Sequence, residues 1–213
     1  MSANPHPNQT ALERALLAPA AAKPTPLDAL RLARQHWLAG ERLEMGALAE
    51  QLGISRATLY TWVGSKDRLL GEVLWSFAGD GLKQVTAQAN GTGADYILDV
   101  FERFARMNAS FEPLLRFVKD EPELALRLIT SKHGPVQARM IAATRELLTE
   151  QIQAGALEPA FDVDTLSYLI IRVAESFIYS DVITGSEPDV DQAVEVVRVL
   201  LHAPPEAAKR GRR

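Results

Sequence analysis

The chain has 213 residues, 47% of them hydrophobic, and a formal net charge of −4, enough apolar material for one large domain or a small one joined to a larger one. The absence of cysteine excludes a disulfide framework, a thiolate nucleophile and a thiolate metal site, as fits a reducing compartment. No apolar run approaches the roughly 18 residues that cross a bilayer, and "MSANPHPNQT" has no cationic region followed by an apolar one, so we expect a cytoplasmic protein with no signal peptide and no membrane partner.

Residues 1–26 carry five prolines and read as a flexible N-terminal arm, with a turn or two of helix around "ALERALL". "PLDALRLARQHWLAG" then places Leu27, Leu30, Ala33, Trp37 and Leu38 at helical spacing and stops at Gly40. "MGALAEQLG" is a second, short helix ended by Gly53. "RATLYTWV" is a third, with Ser55 as its N-cap. Ser65 caps a fourth helix, "KDRLLGEVLWSFAGDGLKQV", in which Gly79 and Gly81 are expected to produce a bend or an end.

Everything after this also reads as helix. "ADYILDVFERFARMNASF" is amphipathic, and the Pro113 and Pro122 segments are short pieces joined by kinks. A long helix runs from Pro135 to Gly155. "DVDTLSYLIIRVAESFIYSDVIT" is next, and "PDVDQAVEVVRVLL" carries an apolar stripe of Val190, Ala193, Val194, Val197, Leu200 and Leu201. No period-2 pattern long enough for a sheet and no internal repeat is present. The fold class is therefore all-α. Four parts are expected: the arm 1–26, a three-helix domain 27–70, a larger helical domain 71–203, and a basic disordered tail 204–213 ending in "KRGRR".

The charge is unevenly divided. Residues 27–70 hold six Lys/Arg against five Asp/Glu, whereas residues 71–208 hold eleven against twenty-one. A near-neutral front and an acidic back are compatible with a DNA-binding head on a ligand-binding body.

"GISRATLYTWVGSK" (Gly53–Lys66) carries the functional signal. Two short helices separated by "LGIS" have the layout of a helix-turn-helix, whose second helix enters a major groove about 12 Å wide. Gly53 can take the left-handed conformation of such a turn. Leu48, Ala49, Ile54 and Leu59 would pack the helices together, leaving Arg56, Ala57, Thr58, Thr61 and Trp62 facing out. Arg56 can pair with guanine or phosphate, and the threonines offer hydroxyls and methyls to base edges. Lys66, beside helix-start amides, can clamp a phosphate. Two short helices around a glycine also occur in proteins that never meet DNA, and Trp62 fits core packing as well as it fits a DNA contact. His36, beside Trp37, reads as a solvated or packed side chain.

From Ala47 to Leu70, "ALAEQLGISRATLYTWVGSKDRLL" resembles the TetR-like bacterial repressors: a Leu-Ala pair, a Gly-Ile-Ser turn, Thr-Leu-Tyr, and Ser-Lys-Asp followed by Leu-Leu. The resemblance implies a homodimer that leaves a double-stranded DNA operator when a small-molecule effector binds its helical regulatory domain. It implies phosphate contacts for Tyr60 and Lys66, and base or backbone contacts for Ser55, Arg56, Thr58 and Thr61. Trp62 and Val63 depart from the family's usual His or Tyr followed by Phe, and Glu44 stands where a Thr or Ser cap is common. A second stretch, "FVKDEPELALRLITSKHGPVQARM", resembles a TetR-like subgroup associated with lactone and quorum-signal breakdown, which implies a lactone or acyl effector.

Two heads about one helical turn apart read a palindrome, so a dimer is expected. The helices 162–184 and 188–202 would form a four-helix bundle burying Val194, Val197 and Leu201, unless they close the subunit's own core. Effector-lining candidates are Phe101, Phe104, Met107, Phe111, Phe117, Met140, Tyr168 and Tyr179. Arg172 and Glu175 join them as a charged pair inside an apolar run, which would order the core, knit the dimer or grip a head group. Arg116 raises the same question.

No catalytic residue, metal site or cofactor is expected. The histidines His6, His36, His133 and His202 lack metal-ligand spacing, and neither a G-x-S-x-G elbow nor a P-loop occurs. The sequence thus reads as a ligand-released repressor. The alternative is a helical protein-interaction module that binds no DNA.

Overall fold

Helix α1 (Pro26–Leu38) begins with a capping box. The Thr25 hydroxyl accepts the Asp28 N–H, the Asp28 carboxylate accepts the Thr25 N–H, and Pro26 occupies the first turn where no donor is needed. These are the first features of a computed structural model that describes residues 23–203; the "ALERALL" segment and the basic tail lie outside the described residues. Among the described residues the chain is helical throughout, with no strand. The buried face of α1 is Ala29, Ala33 and Trp37, while Leu27 and Leu38 of the expected stripe turn to solvent. The two alanines let α1 lie close to the long helix it packs against.

α2 (Met45–Gln51) and α3 (Arg56–Val63) follow, joined by the tight turn through Gly53, whose φ of 65° is the left-handed conformation expected there. Ser65 then caps α4 (Lys66–Gln88), its hydroxyl accepting the Arg68 N–H at 3.1 Å. α4 runs unbroken through Gly79 and Gly81, contrary to the expected bend. Gly81 serves close packing instead: a Cβ there would lie 2.2 Å from the Met107 Cε of the next helix. The expected boundary between residues 70 and 71 falls inside α4, so one rigid element passes through both parts of the chain.

α5 (Gly93–Ser110), α7 (Pro122–Ile129) and α8 (Val136–Gln153) pack against α4, and α6 (Glu112–Asp120) links α5 to α7. α9 (Val163–Ile178) stops at Tyr179. Ser180 turns the chain by donating to the carbonyls of Phe177 and Ser186, so the expected single helix becomes α9 and the short α10 (Ser180–Ile183). α11 (Val190–His202) closes the fold against α5 and α9.

Two cores result. The first joins α1–α4 to α6, α7 and the start of α8, with Leu48, Leu59 and Val73 fully enclosed. The second lies between α5, α8, α9 and α11. Val194, Val197 and Leu201 belong to this second core, at 5%, 0% and 3% exposure. That corrects their expected place in an intersubunit bundle: an apolar stripe on the last helix has to cover its own subunit first. Burying each such side chain is worth about 1.5–3 kcal/mol. Ion pairs bolt the body to α4 as well. Arg139 of α8 makes a two-pronged pair with Glu72, at 2.7 and 2.8 Å, and Arg127 of α7 reaches Asp67 at 2.8 Å.

Candidate nucleic-acid interface and effector cavity

The helix-turn-helix is held from beneath. Leu48, Ala49 and Leu59 are 1%, 2% and 0% exposed, and Ile54 packs half-buried against them. This fixes which face of α3 is turned outward. Ser55 accepts the Thr58 N–H at 3.0 Å and so caps α3, and its hydroxyl pairs with the Thr58 hydroxyl at 2.9 Å. The Thr61 hydroxyl donates to the Ala57 carbonyl at 2.9 Å, leaving its methyl and oxygen lone pairs on the outer face. Ser55, Arg56, Ala57, Tyr60 and Thr61 are exposed, and Thr58 is half-buried. Arg56 lies back over the start of α2 against Gly46 and has no carboxylate partner among the described residues.

Trp62 is half-buried against the first core and borders a cleft formed with Pro26, Leu27 and Pro135. Lys66, the first residue of α4, is half-buried beside a cleft that Arg42, Arg116 and Glu121 also line. Its ammonium sits 3.7 Å from the carboxylate of Glu44. Glu44 occupies the N-cap of α2 without making a side-chain cap bond, so its carboxylate is spent on Lys66.

Behind the head, α4, α5, α7, α8 and α9 enclose a cavity of about 100 Å³. Its walls are apolar, chiefly Leu82, Val100, Ile171 and Ile178, with Phe101, Phe104 and Met140 of the expected lining among them. One end is polar, formed by Glu175, Gln137, Tyr179 and Asn108. Glu175 is 6% exposed. Gln137 Nε2 donates to its two carboxylate oxygens at 3.0 and 3.2 Å and to the Thr130 carbonyl. Arg172 binds the same carboxylate at 2.5 Å from the exposed side of α9, also reaching the Thr130 carbonyl, and does not line the cavity. Burial pushes the Glu175 carboxyl above the usual glutamate range, with the Gln137 hydrogen bond and the Arg172 charge pulling it partly back. Burial, aided by the adjacent Glu175 charge, also raises the Tyr179 phenol.

The structure separates the remaining lining candidates. Met107 fills the gap at Gly81, outside the cavity. Phe111 and Phe117 ring Trp37, with centroids 6.0 and 6.2 Å from it; Phe111 also borders a smaller cavity of about 40 Å³ that shares Ala78, Asn108 and Tyr179 with the larger one. Arg116 leaves the body altogether, donating to the carbonyls of Trp37 and Leu38 at the C-terminus of α1. Tyr168 is 50% exposed on the outer face of α9. Gln137, Asn108 and Thr144 are lining residues that the sequence did not disclose. The one signal for the first was its position next to Val136, at the start of the apolar 136/140 row of α8.

Residues 92–202 match the family model described as "Tetracyclin repressor-like, C-terminal domain". The chain belongs to the TetR family. Among solved structures, the TetR-family transcriptional repressor QsdR of R. erythropolis is 32% identical; the similarity covers 83% of this chain and 93% of that one, with a TM-score of 0.77. The TetR family repressor AlkX of Dietzia sp. strain DQ12-45-1b, implicated in biodegradation of n-alkanes, is 21% identical over 85% of this chain and 96% of its own, with a TM-score of 0.58. The fatty acid degradation regulator FadR of Bacillus halodurans is 19% identical over 86% and 93%, with a TM-score of 0.50. These last two share the fold. No curated protein matches the sequence. As a TetR-family member the chain is a DNA-binding transcriptional regulator, and its helix-turn-helix is the part built for that task. No described helix is long and apolar enough to cross a membrane.

Proposed function

We propose that this TetR-family regulator is a homodimeric repressor that binds a palindromic operator and leaves it when a small amphipathic effector, a lactone or acyl compound, enters the α4/α5/α8/α9 cavity. The observation that carries the reading is the unbroken α4. It bears Lys66 at the reading head and Ala78 and Leu82 in the cavity wall. Sixteen residues of helix place Lys66 and Leu82 about 24 Å apart on one rigid rod. An effector larger than the present cavity has to push its walls apart. Displacing α4 moves Lys66 and, through the packing beneath it, α3. Because the two heads of a dimer must match half-sites about one turn of DNA apart, a small change in their separation lowers affinity steeply.

In this reading Arg56, Thr58 and Thr61 face base edges, with Ala57 in apolar contact. Ser55, Tyr60 and Lys66 hold phosphates, and Trp62 braces the end of α3. Phe104, Met140, Glu175 and Tyr179 contact the effector. The dimer forms through the outward faces of α9 and α11, where Tyr168 and Val199 are 50% and 68% exposed. Binding DNA sets its place of work in the cytoplasm. The test is to recover bound fragments from a random duplex pool and then titrate lactones and acyl compounds against the complex. Release by a compound that no longer acts on Ala174→Phe, which fills the cavity, supports the reading. Release untouched by that substitution would contradict it, as would an unenriched pool.

A further inference from the structure

Among the described residues only one charged side chain lines the cavity, and it is an anion. Glu175 lies at the polar end beside Gln137, Tyr179 and Asn108, all in contact with the same small space. Its balancing cation, Arg172, approaches from the solvent side and is held there by the carboxylate itself and the Thr130 carbonyl. A head group arriving from inside the cavity therefore meets the carboxylate, an amide and a phenol before it meets any positive charge. Neutral groups can be satisfied here. The Tyr179 hydroxyl, which has no hydrogen-bond partner among the described residues, can donate to a carbonyl, and Glu175 can accept from an N–H or O–H. A second carboxylate would set a like charge beside Glu175 in a water-poor site, a repulsion that a hydrogen bond from the Tyr179 hydroxyl offsets only in part.

We infer that the cavity selects acyl compounds whose carboxyl group is masked as an ester, lactone or amide, and rejects the corresponding free acid, with Glu175 as the residue that sets this selectivity. The inference rests on the cavity being the effector site. It gives the regulator a simple logic: it responds to the intact neutral compound and is silent to its hydrolysed product. The class of reaction that ends the signal is accordingly hydrolysis of that ester, lactone or amide to a carboxylate.

The test uses probes matched in an eight-carbon acyl part, octanamide, γ-octalactone, methyl octanoate and octanoate, binding to the full-length protein at neutral pH by calorimetry. Octanoate is expected to bind at least about ten-fold more weakly than the best neutral probe. In Glu175→Gln that gap should close or reverse, since Arg172 is then unopposed. Ala174→Phe separates the two levels of the argument. If it abolishes binding and octanoate nevertheless binds as well as the neutral probes in the wild type, the charge selectivity is overturned and the cavity stands. If binding survives Ala174→Phe, the site itself is misplaced and the inference falls with it. Absence of binding by all three neutral probes would also overturn it. The wild-type ranking alone decides the matter should Glu175→Gln fail to fold.

Discussion

Glu44 is the residue whose replacement most directly tests the account of the DNA-binding surface. Its carboxylate holds Lys66 at 3.7 Å, and the two side chains are 67% and 39% exposed. In bulk water a pair at that distance is worth about 1 kcal/mol, and exposed pairs measure about 0–1 kcal/mol. A phosphate taken by Lys66 has to displace Glu44 and then lie beside its negative charge. Both effects disfavour binding, so Glu44→Gln should tighten DNA binding by about 0.5–1.4 kcal/mol, roughly two- to ten-fold. Glu44→Thr should do the same and also supply the cap that α2 lacks, adding about 0.5–1 kcal/mol to stability. Fluorescence anisotropy on the recovered operator and on random duplex, at two salt concentrations, measures the first effect; thermal melts measure the second. The gain should be equal on both DNAs, because a phosphate contact carries no sequence information. Unchanged or weakened binding by Glu44→Gln would refute the placement of Lys66 on a phosphate.

Arg56→Ala should cost about 1–3 kcal/mol on the operator and little on random DNA, whereas Lys66→Ala should weaken both alike and lower the salt slope by about 1; equal losses for both variants would contradict the division of roles. Arg116→Ala strips the donor from the Trp37 and Leu38 carbonyls and should lower stability by about 1.5–3 kcal/mol in a denaturant titration. The Glu175 carboxyl is raised above 4.5 in the folded chain, so the folded state binds the proton more readily than the unfolded one. Its contribution to stability is fully present below that value and is lost as pH rises through the folded pKa. The stability of the wild type relative to Glu175→Gln should therefore fall as pH rises across that window, as followed by melts at matched ionic strength.

The turn and the caps were legible because local rules set them. Gly53 supplies a positive φ, and Ser55 and Ser65 supply cap oxygens, whatever surrounds them. Thr25 obeyed the same kind of rule, in a T-x-x-D pattern with Pro26 inside it. Gly81 looked like a helix breaker because sequence cannot show a methionine from another helix lying on it. Phe104 and Phe111 share the apolar character of one segment, yet one faces the cavity and the other Trp37. Phe111 is itself the α5–α6 junction, where the chain turns. The stripe on α11 is equally apolar whether it packs within a subunit or between two, so periodicity had no means of choosing. Glu175 was conspicuous in an apolar run, but that it lines the cavity while its ion-pair partner Arg172 stays on the exposed side depends on how α9 is rotated, which only the packing of α8 and α9 decides.

The central claim is tested most directly by selecting fragments from a random duplex pool with the purified protein and titrating the recovered sites at two salt concentrations. The account predicts a palindromic consensus whose binding weakens steeply with salt. An unenriched pool, or association with DNA that is indifferent to both sequence and salt, would contradict it.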